Sequence, residues 1–169
     1  MHLNIRTDGG ARGNPGPAGI GVVIEDENGK VLEEHAVFLG IKTNNQAEYQ
    51  AAILGLQRAK KLGADSVKVF ADSELVVKQA SGLYKVKHVN IKPLFAELKT
   101  LMLQIGHVKF EHVRREKNTH ADARALGFAI YGQRMVKNHA KIRQDGNDPD
   151  KTNHIIQTFS KGLDKNQAF

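Results

Sequence analysis

The stretch GGARGNPGPAG, residues 9–19, holds five glycines and two prolines in eleven positions. No helix crosses such a run, because each interior glycine costs about 1 kcal/mol and each proline about 3 kcal/mol relative to alanine. It is read as turn or loop, and the chain on either side is extended. Leu3 to Thr7 alternates apolar and polar residues and runs into Asp8, the period of a half-buried strand. Ile20 to Ile24 and Val31 to Leu39 are two more strands, with Asp26-Glu27-Asn28-Gly29 as the hairpin turn between them. Three strands with short connections form an antiparallel meander.

Helical periodicity begins after the meander. Thr43-Asn44-Asn45 caps a helix that runs to about Leu62, where Gly63 stops it. Val67 to Ala71 is a short apolar strand, and Ser73 to about Ala80 is a helix ended by Ser81-Gly82. Leu83 to Lys92 is basic and irregular. Pro93 to Ile105 is a helix with Leu94, Leu98, Leu101 and Ile105 on one side, Val108 to Val113 is the fifth strand, and Asn118 opens a last helix. The order β-β-β-α-β-α-α-β-α predicts an α/β fold. Its sheet is mixed and five-stranded: the meander plus parallel strands 4 and 5, with helices on both faces. One domain is expected over residues 1–130. Residues 131–169 hold seven Lys/Arg against four Asp/Glu and are expected to be a basic tail, weakly ordered or packed on the domain.

Charge constrains the partner and says nothing of the chemistry. The net charge of +7 and pI near 9.6 favour a polyanion, of which nucleic acid is the commonest. There is no cysteine, which suits a reducing compartment. No apolar run approaches the roughly 18 residues of a bilayer span, and MHLNIRTDGG lacks a signal-peptide core. A cytoplasmic monomer that does not engage membranes is expected.

Four carboxylates stand at informative places, each with a plain alternative. Asp8 meets the glycine run and would serve equally as an Asp-Gly turn residue. Glu48 is centred on a helix face made of Ala51, Ala52, Gly55, Ala59 and Leu62, or else is the capping-box partner of Asn45. A covered carboxylate needs a cation or strong hydrogen bonds to offset its desolvation. Asp72 ends a parallel strand, where open α/β sheets build sites, yet it would also serve as an N-cap. Asp122 lies in the first turn of the last helix, where the dipole alone would favour it. Jointly they say more. The expected topology brings Asp8, Glu48, Asp72 and Asp122 to one edge of the sheet, where their repulsion calls for divalent cations. An all-oxygen donor set points to Mg²⁺ or Mn²⁺.

Four segments carry a resemblance: TDGGARGNPGPAG (7–19), TNNQAEYQAAILGL (43–56), DSELVVKQ (72–79) and HVRREKNTHAD (112–122). In this order, each with one of the four acids, they resemble the type 1 ribonucleases H, in the compact form that lacks a Trp-rich basic protrusion. Only YKVKHVNIK, residues 84–92, occupies that place. The resemblance implies a ribonuclease H-like catalytic domain over 1–130. It implies hydrolysis of the RNA strand of RNA–DNA hybrids by two Mg²⁺ or Mn²⁺ ions with substrate bound, leaving 5′-phosphate and 3′-hydroxyl ends. Asp8 would bridge the ions, Glu48 and Asp72 would complete the one on the leaving-group side, and Asp122 would hold the one that activates water. Such ions lie about 3.5–4 Å apart. His112 matches a histidine that the family keeps on a mobile loop for proton transfer or product release; its alternative is a partly buried strand-end histidine. His120 is expected to be solvated, and His88 to touch phosphate. Asn14, Thr43, Asn44 and Asn45 match hybrid-contacting positions, with amides suited to base edges and 2′-hydroxyls. The backbones of Gly9 and Gly10 can approach the RNA closely.

Three features depart from the family's pattern. Glu74 stands where many relatives carry Gln in contact with substrate, ARALGFAIYG follows Asp122 in place of a leucine-and-asparagine pattern, and the tail has no counterpart in short members. The competing readings are a non-catalytic hybrid- or duplex-binding module on the same fold, and a related two-metal nuclease acting on DNA. A nucleotide-phosphate loop at GGARGNPG is rejected, because the run enters a strand through Pro15 and Pro17 rather than opening a helix.

Overall fold

The computed structural model describes residues 1–114. The expected last helix, with Asn118, His120 and Asp122, and the tail over 131–169 lie outside the described residues. The described residues form five strands and three helices: β1 (His2–Ala11), β2 (Gly16–Asp26), β3 (Val31–Lys42), α1 (Asn44–Lys61), β4 (Ser66–Ala71), α2 (Glu74–Ala80), α3 (Lys92–Ile105) and β5 (His107–His112). They form one mixed sheet in the order β3-β2-β1-β4-β5. β1 pairs antiparallel with β2 and parallel with β4, and β5 runs parallel to β4. The expected meander and parallel strands are both found.

One expectation fails. Residues 9–19 are not all loop: β1 continues through Gly9 and Gly10 to Ala11, and β2 begins at Gly16, so only Arg12 to Pro15 turn the chain. The glycines serve close packing there. A Cβ on Gly9 would lie 2.5 Å from the Ala47 carbonyl carbon and 2.6 Å from the Glu48 nitrogen, so only glycine lets the first turns of α1 rest on β1.

The core follows the alternation. Leu3 and Ile5 of β1, Ile20, Val22 and Ile24 of β2, and Val67 and Val69 of β4 are buried in one cluster with residues of α1 and α3. α1 presents Ala47, Ala51, Ala52, Gly55 and Ala59 as a low, buried face, and a Cβ on Gly55 would come 2.7 Å from Ile5 Cγ2. Helix and sheet backbones therefore approach closely. Leu98, Leu101 and Ile105 of α3 complete the packing. The hairpin turn forms where expected: Asp26 Oδ1 accepts from the Asn28 and Lys30 amides, both at 2.9 Å, and Gly29 takes φ +80°, open to glycine without strain.

Candidate active site

The sheet register brings the first two carboxylates together. Thr7 pairs with Ala71 across the parallel β1/β4 ladder, so the next residues along, Asp8 and Asp72, come side by side at the carboxyl end of β4. Glu48 arrives from α1, in the turn that Gly9 allows to sit against β1. One carboxylate oxygen each from Asp8, Glu48 and Asp72 lies within 4.8 Å of the others. Asp8 is 2% exposed and Glu48 8%; Asp72 is half-buried.

The plain alternatives for these acids are not what the structure uses. α1 is capped by Thr43, whose hydroxyl accepts from Gln46 N (3.2 Å) while Gln46 Oε1 accepts from Thr43 N (2.9 Å). That capping box belongs to Thr43 and Gln46, not to Asn45 and Glu48. α2 is capped by Ser73, whose Oγ accepts from Val76 N at 3.3 Å, not by Asp72. Asp8 lies within β1 rather than in a turn. Three acids with no capping task converge, two of them buried. Charged carboxylates so placed repel one another unless cations offset them. Three hard oxygen donors with no sulfur or imidazole in the set fit Mg²⁺ or Mn²⁺.

The surrounding candidates fall into two groups. Asn14 and Asn44 join the β1–β2 turn to the start of α1: Asn44 Oδ1 accepts from Ala11 N (3.0 Å) and Asn14 Oδ1 accepts from Asn44 N (3.1 Å). Gly10 lies against the same Asn44 side chain. Asn45 is exposed on the first turn of α1. His112 is the last residue of β5, paired with Ala71, not a loop residue. It is exposed, and its Nε2 lies 3.1 Å from the Asp72 carbonyl oxygen. Glu74 turns to Lys78, one helical turn on, with 2.6 Å between carboxylate and ammonium. The Lys78 hydrogen bond holds the Glu74 carboxyl below its usual pKa.

Sequence reasoning missed two buried polar residues. The Tyr49 hydroxyl donates to Gln79 Oε1 at 2.6 Å. The partners stand 30 residues apart, and neither helix's periodicity announces a bond between them.

The family pattern described as reverse transcriptase-like matches residues 6–126. A bifunctional protein of Mycobacterium tuberculosis is 46% identical over 123 residues, which are 72% of this chain and 34% of that protein; the chain spans about a third of that relative's length. The solved N-terminal RNase H domain from that organism superposes with a TM-score of 0.79 at 41% identity, covering 80% of this chain and 99% of that one. LC11-RNase H1, solved in complex with an RNA/DNA hybrid, gives 0.74 at 43% identity, covering 78% and 99%. Ribonuclease HI of Halobacterium salinarum is 36% identical over 118 residues, 70% of this chain and 59% of that protein.

Proposed function

Because the chain belongs to the type 1 ribonuclease H family, we propose that it is an endonuclease hydrolysing the RNA strand of RNA–DNA hybrids to 5′-phosphate and 3′-hydroxyl ends. The observation that carries this reading is the approach of Asp8, Glu48 and Asp72 to within 4.8 Å. Asp8 would be the ligand common to the divalent cations, Glu48 and Asp72 would serve the leaving-group side, and Asp122 would serve the water side. When bound, the cations supply Lewis-acid stabilisation of the entering and departing oxygens of an in-line displacement.

The remaining residues bind and orient. Asn14 and Asn44 use their Oδ1 atoms on backbone amides, and their Nδ2 groups are the donors offered to base edges and 2′-hydroxyls in the minor groove. Asn45 and the backbones of Gly9 and Gly10 extend the same surface, and Thr43 is placed for a phosphate. His112 stands beside Asp72; breaking its bond to that carbonyl releases an imidazole for proton transfer or product release. Glu74 keeps its charge offset by Lys78, which lessens its repulsion of a phosphate backbone. Lys85, Lys87 and His88 are exposed and supply phosphate contacts.

The test is cleavage of a labelled RNA–DNA hybrid with Mg²⁺ or Mn²⁺, run beside RNA, DNA and both homoduplexes, with an EDTA control. Hybrid-selective, EDTA-sensitive internal cutting is expected. Binding without cutting would favour the non-catalytic module, and DNA cutting the related nuclease. Asp8→Asn should reduce turnover by more than the roughly 10–100-fold typical of an outer-shell change, with hybrid binding intact or stronger. Near-wild-type turnover in that variant would refute the shared-ligand role.

A further inference from the structure

Tyr49 follows Glu48 on α1 and is fully buried. Its hydroxyl donates a hydrogen bond of 2.6 Å. Its acceptor, Gln79, is 7% exposed in the last turn of α2. The other end of that amide, Nε2, donates to the Lys85 carbonyl at 3.3 Å. One buried side chain thus links the helix that carries Glu48 to the segment after α2.

That segment, residues 82–91, is neither helix nor strand. It carries Lys85, Lys87 and His88, with Lys92 opening α3, and no acid occurs between Leu75 and Ala96. Elsewhere Ile91 is buried in the core and Val86 packs against it, and the remaining ties are local hydrogen bonds. The Leu83 and Tyr84 amides donate to the Lys78 carbonyl at 2.8 and 3.1 Å, and the Lys78 ammonium lies 4.8 Å from the Tyr84 ring centre. An open pocket of about 490 Å³, lined by Gln79, Tyr84, Lys85, Val86 and Phe95 among others, borders the loop. A buried amide left half-satisfied bears the desolvation penalty of its unpaired end. Gln79 therefore favours the one loop conformation that presents a carbonyl to it.

We propose that Gln79 is a positioning residue: by joining the Tyr49 hydroxyl to the Lys85 carbonyl it holds the loop lysines as a phosphate-binding edge, in a set relation to the carboxylate cluster. The inference rests on the hybrid-cleaving reading above. Gln79 touches no substrate; it acts through Lys85 and Lys87.

The deciding variant is Gln79→Glu. Its carboxylate still accepts from Tyr49 but has no N–H for the Lys85 carbonyl. Hybrid binding is measured by fluorescence anisotropy against salt concentration in the Asp8→Asn protein, and steady-state cleavage in the otherwise wild-type chain. Gln79→Glu should lower the slope of log affinity against log salt by about one to two, the loss of one or two phosphate contacts. It should raise KM roughly three- to tenfold at fixed salt while kcat stays within about twofold, since about 1 kcal/mol of binding is fivefold or more. Lys85→Gln/Lys87→Gln should give the same slope, and adding Gln79→Glu to it should subtract nothing further, because both act through one contact. An unchanged slope in Gln79→Glu, additive losses, or a fall in kcat at constant KM would each overturn the proposal. Should Gln79→Glu not fold, Gln79→Met, which likewise offers no N–H to the Lys85 carbonyl, takes its place with the same expectations. Failure of the wild-type chain to cut hybrid would sink the nuclease reading alone, because the anisotropy slopes need no cleavage.

Discussion

At Gly9 a single hydrogen in place of a methyl group governs how close α1 comes to β1. The clash that alanine would bring is with backbone atoms of Ala47 and Glu48, at 2.5 to 2.6 Å, and backbone cannot rotate away as a side chain can. Gly9→Ala should therefore lift the first turns of α1 from the sheet. Overpacking of this kind costs about 1–3 kcal/mol, or a fall in Tm of roughly 2–4 °C per kcal/mol for a chain of this size. Because Glu48 rides on the displaced turn, cation affinity should fall too. Mg²⁺ at a hundred times its Kd should stabilise the wild-type chain by about 2.7 kcal/mol, seen as a rise in Tm that EDTA reverses. Gly9→Ala and Asp8→Asn should both show a smaller rise. An equal rise in all three proteins would separate cation binding from these carboxylates.

The elements owe their placement to bonds of quite different legibility. Strand alternation in Leu3, Ile5, Ile20, Val22 and Ile24 could be read from the chain, as could the helix that follows Thr43, because period and cap are local. The continuation of β1 through Gly9 and Gly10 could not, since a glycine pair reads as turn unless the helix that crowds it is known. The alternatives that made Asn45 and Asp72 caps fail on position: Thr43 and Ser73 stand at the residue where each helix begins. Convergence of Asp8, Glu48 and Asp72 was legible through strand order, whereas the Tyr49–Gln79 bond was not, having no local signature. Also invisible locally is the tie from β3 to α1. Arg58 donates twice to Glu33, at 2.7 Å each, and the His35 ring approaches the same carboxylate at 2.8 Å. The Arg58 hydrogen bond, aided by His35, lowers the Glu33 carboxyl from 4.5 to about 2. A folded-state pKa below the unfolded one means stability that is present above pH 4.5 and is lost as pH falls toward 2. Glu33→Gln should thus cost about 1 kcal/mol at pH 7, a figure already reduced for solvent screening. The gap to wild type in a denaturant melt should close between about pH 5 and 2. A gap independent of pH would mean that Glu33 acts by packing alone.

On the scale of the whole molecule, a chain of net charge +7 carries a cluster of three acids. On the proposed reading, positive charge away from that cluster would attract a polyanion, and cations at the carboxylates would retain it. Residues 135–169 carry six Lys/Arg against four Asp. Removing them should lower either the salt slope of hybrid binding or the Tm. A truncated chain identical in both would show the tail to be dispensable. Across the sheet, the pairing of Thr7 with Ala71 has a further consequence. Strands shift past one another only in whole residues of about 3.3 Å, and an odd step turns every side chain to the opposite surface. The distance from Asp8 to Asp72 is therefore a quantised quantity, closed to gradual drift. Evolution or design can tune the Asp8–Asp72 separation only by lengthening or shortening an acid, because the scaffold beneath the pair behaves as a ratchet.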